Sequence, residues 1–147
     1  MQIEINNVVK APVNKKSIKL ILRQALKILK PRHEGRGKPR AVKSKFLSVA
    51  VVDGKAIKKL NKKYRKIDKI TDVLSFGSLR QDEMVEIIIC WSRLKEQAKQ
   101  FKHSQKQELI ILLIHGLLHL IGYDDKTKKE RAVMEKITEK VVKRLAR

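Results

Sequence analysis

The spacing of hydrophobic and polar positions changes several times along the chain, and each change predicts an element. Ile3 and Ile5 alternate with polar neighbours before Val8 and Val9, which suits a short strand from Gln2 to Lys10 with an irregular end. Pro12 and Asn14 then announce a helix in which Ile18, Ile21, Leu22, Ala25 and Leu29 share one face and Lys and Arg take the other. Lys45 to Val52 is apolar and β-branched, the composition of a buried strand. Asp53 caps the next helix, where Ile57, Leu60 and Tyr64 recur at helical spacing, so Tyr64 is read as core packing rather than as a platform for a base. Thr71 to Phe76 and Met84 to Cys90 read as two more strands, and Ser92 as the cap of a helix running through Phe101. His103 and Ser104 introduce a helix from about Gln105 to Ile121 that is apolar nearly all round and therefore central. A last helix from about Lys128 to Leu145 turns Val133, Ile137, Val141 and Leu145 inward.

Strands and helices mixed without strict alternation predict an α+β fold, with several helices packed on a small mixed sheet. At 147 residues a single domain spanning 1–147 is expected, long enough to bury a real core. Pro31 to Arg40, with two prolines and two glycines, is a basic surface loop within that domain and a candidate for touching phosphate. The lone cysteine, Cys90, excludes an intramolecular disulfide framework and reads as a buried thiol. No positive segment followed by a long apolar run opens the chain. The most apolar stretch, Leu109 to Ile121, falls short of the ~20 residues of a membrane span. The expectation is a cytoplasmic protein with no membrane partner.

Charge narrows the partner further. Thirty-six Lys and Arg against 15 Asp and Glu leave +21, far more than a site for a small acidic metabolite needs. An extended polyanion is the natural counterpart, and nucleic acid and an anionic surface remain equal candidates on charge alone. With aromatics at 4%, reading of sequence by stacked bases is poorly supported.

Chemistry concentrates in Glu108 to Lys126, ELIILLIHGLLHLIGYDDK. His115 and His119 are four apart, so on a helix they point the same way one turn apart and can meet one metal. A third ligand could not share that face if the helix continued. Gly122 supplies the break, after which Asp124 or Asp125 can come back beside the histidines. Two histidines, a carboxylate and one open position is the ligand set of catalytic zinc. Lone histidines on a buried helix are more often satisfied core residues, but two on one face, a glycine break and two carboxylates favour metal binding. A peptidase of the H-E-x-x-H kind is disfavoured, because Gly116 occupies the place of its glutamate base and reads instead as a point of close approach.

HGLLHLIGYDD is similar to the H-G-x-L-H-L-x-G-Y-D-H signature of the YbeY family, metal-dependent endoribonucleases of bacterial ribosomal RNA maturation. LNKKYRKIDKITDVLSF, Leu60 to Phe76, resembles a second family block, L-N-x-x-Y-R-x-x-D-x-x-T-D-V-L-S-F. The likeness covers about Val49 to Lys126. It implies a zincin-like arrangement around the histidine helix, with one zinc or another divalent transition metal held by His115, His119 and Asp125. Asp125 stands where the family has histidine, so a working two-His, one-Asp site is expected, with Asp124 as a substitute ligand or a degenerate site as the other outcomes. Gly77 likewise replaces the family's proline after Phe76.

The resemblance further implies single-strand-specific cleavage of ribosomal RNA, at the 3′ end of 16S rRNA and in ribosome quality control, with the small subunit as partner. His115 and Arg65 would carry the catalysis, Arg65 through a guanidinium fork that fits two phosphate oxygens. Thr71 and Asp72 are expected to support the site structurally. The competing expectation is a ribosomal RNA-binding protein whose metal site is structural, weakened or inactive.

Overall fold

The protein is described by a computed structural model covering residues 1–29 and 42–146. The basic loop Pro31 to Arg40 lies outside the described residues. Among those residues the strands are β1 (Gln2–Asn7), β2 (Phe46–Val52), β3 (Val73–Phe76) and β4 (Met84–Cys90). The helices are α1 (Lys15–Ile28), α2 (Gly54–Arg65), α3 (Trp91–Gln100), α4 (Gln105–Leu120) and α5 (Lys128–Leu145). The strands form one sheet in the order β1-β2-β4-β3; β1, β2 and β4 run parallel and β3 is antiparallel at the edge. This is the α+β class that the sequence predicts, with a mixed sheet.

Parallel strands covered on both faces should be apolar in continuous runs, and β2 and β4 are. The residues Ile3, Ile5, Leu47, Val49, Val85, Ile87 and Ile89 face a large core shared with α1, α3, α4 and α5. Val52, Leu74, Ile88 and Cys90 face the opposite side, where α2 contributes Ile57 and, at its margin, Leu60. Helix α4 explains its all-round apolarity by position, since it touches α1, α3, α5, β3 and β4.

Three packing expectations need correction. Ser92 does not cap α3: strand β4 runs directly into the helix, so buried Cys90 takes the cap position without a side-chain bond, and the Ser92 hydroxyl lies 3.3 Å from its sulfur. The inward stripe of α5 keeps Ile137, Val141 and Leu145 but not Val133, and adds Met134 and Thr138. Val133 is 43% exposed, while Met134, Thr138 and Val141 are buried and Ile137 and Leu145 half-buried. Thr138 passes for an inward residue because its hydroxyl is satisfied inside the helix, donating to the Met134 carbonyl at 2.8 Å. Tyr64 is 55% exposed, not core: the last turn of α2 reaches the edge strand β3, where its ring meets Phe76 edge-to-face at 5.3 Å.

Gly116 is the contact point between α4 and the sheet. A Cβ there would lie 3.0–3.1 Å from three side-chain atoms of Ile87, which is fully buried and has nowhere to move. Close approach of another segment, the role its place in the sequence suggests, is therefore made to β4. Gly116→Ala gains helix propensity but overpacks this contact, and a net loss of about 1–2 kcal/mol is expected in urea unfolding. Unchanged or increased stability would show that β4 yields at this point.

Candidate metal centre

Helix α4 starts at Ser104, whose hydroxyl accepts the Gln107 N–H at 3.0 Å, and ends at a turn that builds half of the site. Gly122 N–H donates to His119 O at 3.1 Å and Tyr123 N–H donates to Leu118 O at 3.0 Å, the paired bonds of a Schellman stop. That stop requires a left-handed residue, and Gly122 has φ +105°. The chain reverses, as the glycine break predicts. The same turn directs the Tyr123 carbonyl at His119 Nδ1, 3.0 Å away. In the neutral ring Nδ1 must then carry the proton, which leaves the Nε2 lone pair free to bind a cation.

Of the two candidate carboxylates, the turn brings Asp125 to the histidines. His115 Nε2 and His119 Nε2 are 3.0 Å apart, and each is 3.4 Å from Asp125 Oδ2. Ligands about 2.0–2.1 Å from a tetrahedral ion are separated by roughly 3.3–3.4 Å, so this triangle fits one divalent metal with little adjustment. Asp124 serves the backbone instead. Its Oδ1 accepts the Asp125 N–H at 2.8 Å, and Arg131 Nη1 donates to the Asp125 carbonyl at 3.1 Å, so the third donor is held from both sides. Burial pushes the His115 pKa below its ordinary value, helped by His119 and opposed by Asp72 and Asp125. The neutral, metal-binding form of His115 is thereby favoured.

Arg65 reaches this helix through strand β3. At the end of α2 its Nη2 donates to the Ser75 carbonyl, and its guanidinium sits 5.3 Å from the centre of the Phe76 ring. The Ser75 hydroxyl in turn donates to the carbonyl of Gly116 at 3.0 Å, one residue after His115. The arginine is exposed and anchored at one nitrogen. Gly77, just beyond β3, has φ +97°, a conformation closed to the proline that the family carries there.

A buried polar chain that sequence reasoning did not find lies behind the histidines. Glu108, 2% exposed in the first half of α4, is bonded to His103 Nε2 and accepts from Gln97 Nε2 at 2.9 Å. Gln97 Nε2 also donates to Asp72 Oδ2 at 3.3 Å, while Asp72 Oδ1 accepts the Val73 N–H at 2.8 Å. This chain ties α3, α4 and the start of β3 together, which gives Asp72 the structural role expected of it. Glu108 follows Gln105, Lys106 and Gln107 in a polar first turn, so nothing in the sequence signalled its burial.

Comparison with known proteins gives the family. A family model described as endoribonuclease YbeY matches residues 4–146. An endoribonuclease YbeY of Caldanaerobacter subterraneus is 41% identical over 115 residues, covering 67% of this chain and 73% of the relative. One of Endomicrobium trichonymphae is 48% identical over 88 residues, covering 60% and 62%. The solution structure of a Thermotoga maritima protein superposes with a TM-score of 0.59 at 26% identity, covering 99% of this chain and 92% of that one.

Proposed function

The chain belongs to the YbeY family of endoribonucleases, and from that premise we propose that it is a divalent-metal-dependent endoribonuclease of single-stranded ribosomal RNA. The convergence of His115, His119 and Asp125 donor atoms within 4.8 Å of one another carries the reading. Zinc suits two imidazoles and a carboxylate, and manganese is the harder alternative that the carboxylate favours. A bound ion supplies Lewis acidity toward a phosphate oxygen and lowers the pKa of water. The protein's own part is to hold and orient. The Tyr123 carbonyl fixes the tautomer of His119, and Asp124 with Arg131 fixes Asp125. Arg65, steadied by Ser75 and Phe76, places its free N–H groups where charge builds on the phosphorane-like transition state.

Lysines and arginines in large excess would follow the RNA backbone with little sequence preference. Specificity would then come mainly from the ribosome, which makes the small subunit the partner and the 3′ end of 16S rRNA, with ribosome quality control, the setting. This places the protein in the cytoplasm. No described helix is long and apolar enough to cross a membrane.

The test is cleavage of a ribosomal RNA fragment, single-stranded and annealed to its complement, by protein of measured metal content. Cleavage of the single strand alone is expected. Full metal content with no cleavage would favour the binding-protein reading, in which the site is structural. Asp125→His should keep the metal and change the rate by less than about tenfold. A larger rise would mark the aspartate as a weakened ligand.

A further inference from the structure

Between α4 and α5 runs an open groove of about 530 Å³, within the ~300–1,000 Å³ of small-ligand sites. Its α4 wall is Gln107, Ile111 and His115, positions i, i+4 and i+8 on one stripe, and Asp125 closes the same end as His115. Two metal-site residues therefore form one end of the groove, and the stripe extends about 12 Å away from them. Its α5 wall runs from Arg131 past Met134 and Thr138, both nearly buried, to Val142 beside Lys143. Arg131 and Lys143 sit at opposite ends, about 18 Å apart along the helix, too far to hold one phosphate together.

Glu135 and Glu139 lie between those two cations and also line the groove. In a chain with 15 acidic against 36 basic residues, two adjacent carboxylates here are an exception that needs a reason. They repel a phosphate from the centre of the groove and accept hydrogen bonds from amino groups. Half-buried Ile111, one turn from His115, supplies apolar surface for a flat, uncharged ring.

We infer that this groove holds the nucleobase next to the scissile phosphate and selects bases with an exocyclic amine (cytosine, adenine or guanine) over uracil. The inference rests on the RNA-cleaving reading and adds to it a single-base preference. With the phosphate at the metal end, the neighbouring base enters the apolar centre. Its amine then faces Glu135, Glu139 or the Gln107 side-chain carbonyl, as a cytosine amine meets a carboxylate in nucleic-acid recognition. One base is read by its edge, which needs no aromatic platform.

The experiment uses short single-stranded RNAs carrying 2-aminopurine, one at a time, on each side of the cleaved bond. Binding to the wild type should change the probe's emission at one of the two positions. Ile111→Trp, which fills the groove one turn from His115, should abolish that change while metal content stays the same. In cleavage assays a uracil or an abasic site at that position should lower kcat/KM about tenfold. Glu135→Gln with Glu139→Gln, both exposed, should reduce the discrimination between cytosine and uracil to under about twofold. Equal emission changes in wild type and Ile111→Trp, or indifference of the wild type to the abasic site, would overturn the inference. If metal-loaded wild type cut no RNA, the proposed function would fail, while 2-aminopurine placed at every position of the RNA in turn would still show whether one base enters the groove.

Discussion

His115→Ala is expected to lower metal affinity on the order of 100-fold or more and to reduce RNA cleavage to background. Changing a partner that merely orients a metal ligand already costs 10–100-fold, and His115 supplies a donor atom itself. It stands 3.0 Å from His119 Nε2 and 3.4 Å from Asp125 Oδ2, so its removal leaves two donors and no enclosure. Its side chain is 30% exposed, and the helix that carries it is held by Leu112, Leu113, Ile114, Leu117 and Leu118. The variant should therefore fold, with far-ultraviolet circular dichroism matching the wild type. Metal analysis after desalting, beside a cleavage assay on the same sample, checks the expectation. Cleavage that survives His115→Ala would assign the activity to a contaminating nuclease.

Arg65→Ala separates catalysis from metal binding. Among the described residues no hydrogen bond links the arginine to the three donors; two join it, through Ser75, to the helix that carries the two histidines. Its loss should leave metal content unchanged and lower kcat about 10²–10³-fold, the cost of removing one donor aimed at developing charge. Arg65→Lys should recover only part of the rate, because an ammonium can keep the charge but not the planar fork that spans two oxygens. A rise in KM with kcat intact would instead make Arg65 one more cation that follows the backbone.

Much of this architecture is legible in the sequence because local chemistry dominates it. Helix α4 combines a serine cap, continuous apolar residues and a glycine stop, and each acts within one or two turns. The spacing of His115 and His119 is a property of the helix itself, and Gly122 announces the reversal. What depends on distant partners is not legible. Arg65 meets Ser75 ten residues on, and Ser75 meets Gly116 forty-one residues on, so no window of sequence contains that connection. The choice of Asp125 over Asp124 rests on backbone geometry after the turn, where one carboxylate caps the other's N–H. The stripe of α5 includes Thr138 because it can hide its hydroxyl within the helix, which hydrophobicity alone does not show. Tyr64 shows the same limit, since its spacing matches a core position that the sheet is too narrow to cover.

The central claim is that RNA cleavage belongs to one metal held by His115, His119 and Asp125. Its most direct test is a titration of zinc, and separately manganese, into chelator-stripped protein with metal content and cleavage of single-stranded ribosomal RNA read on the same samples. Saturation at one ion per chain, with the rate rising in proportion to occupancy, is the predicted result. A rate independent of occupancy, or a fully loaded protein that leaves the RNA intact, would contradict it.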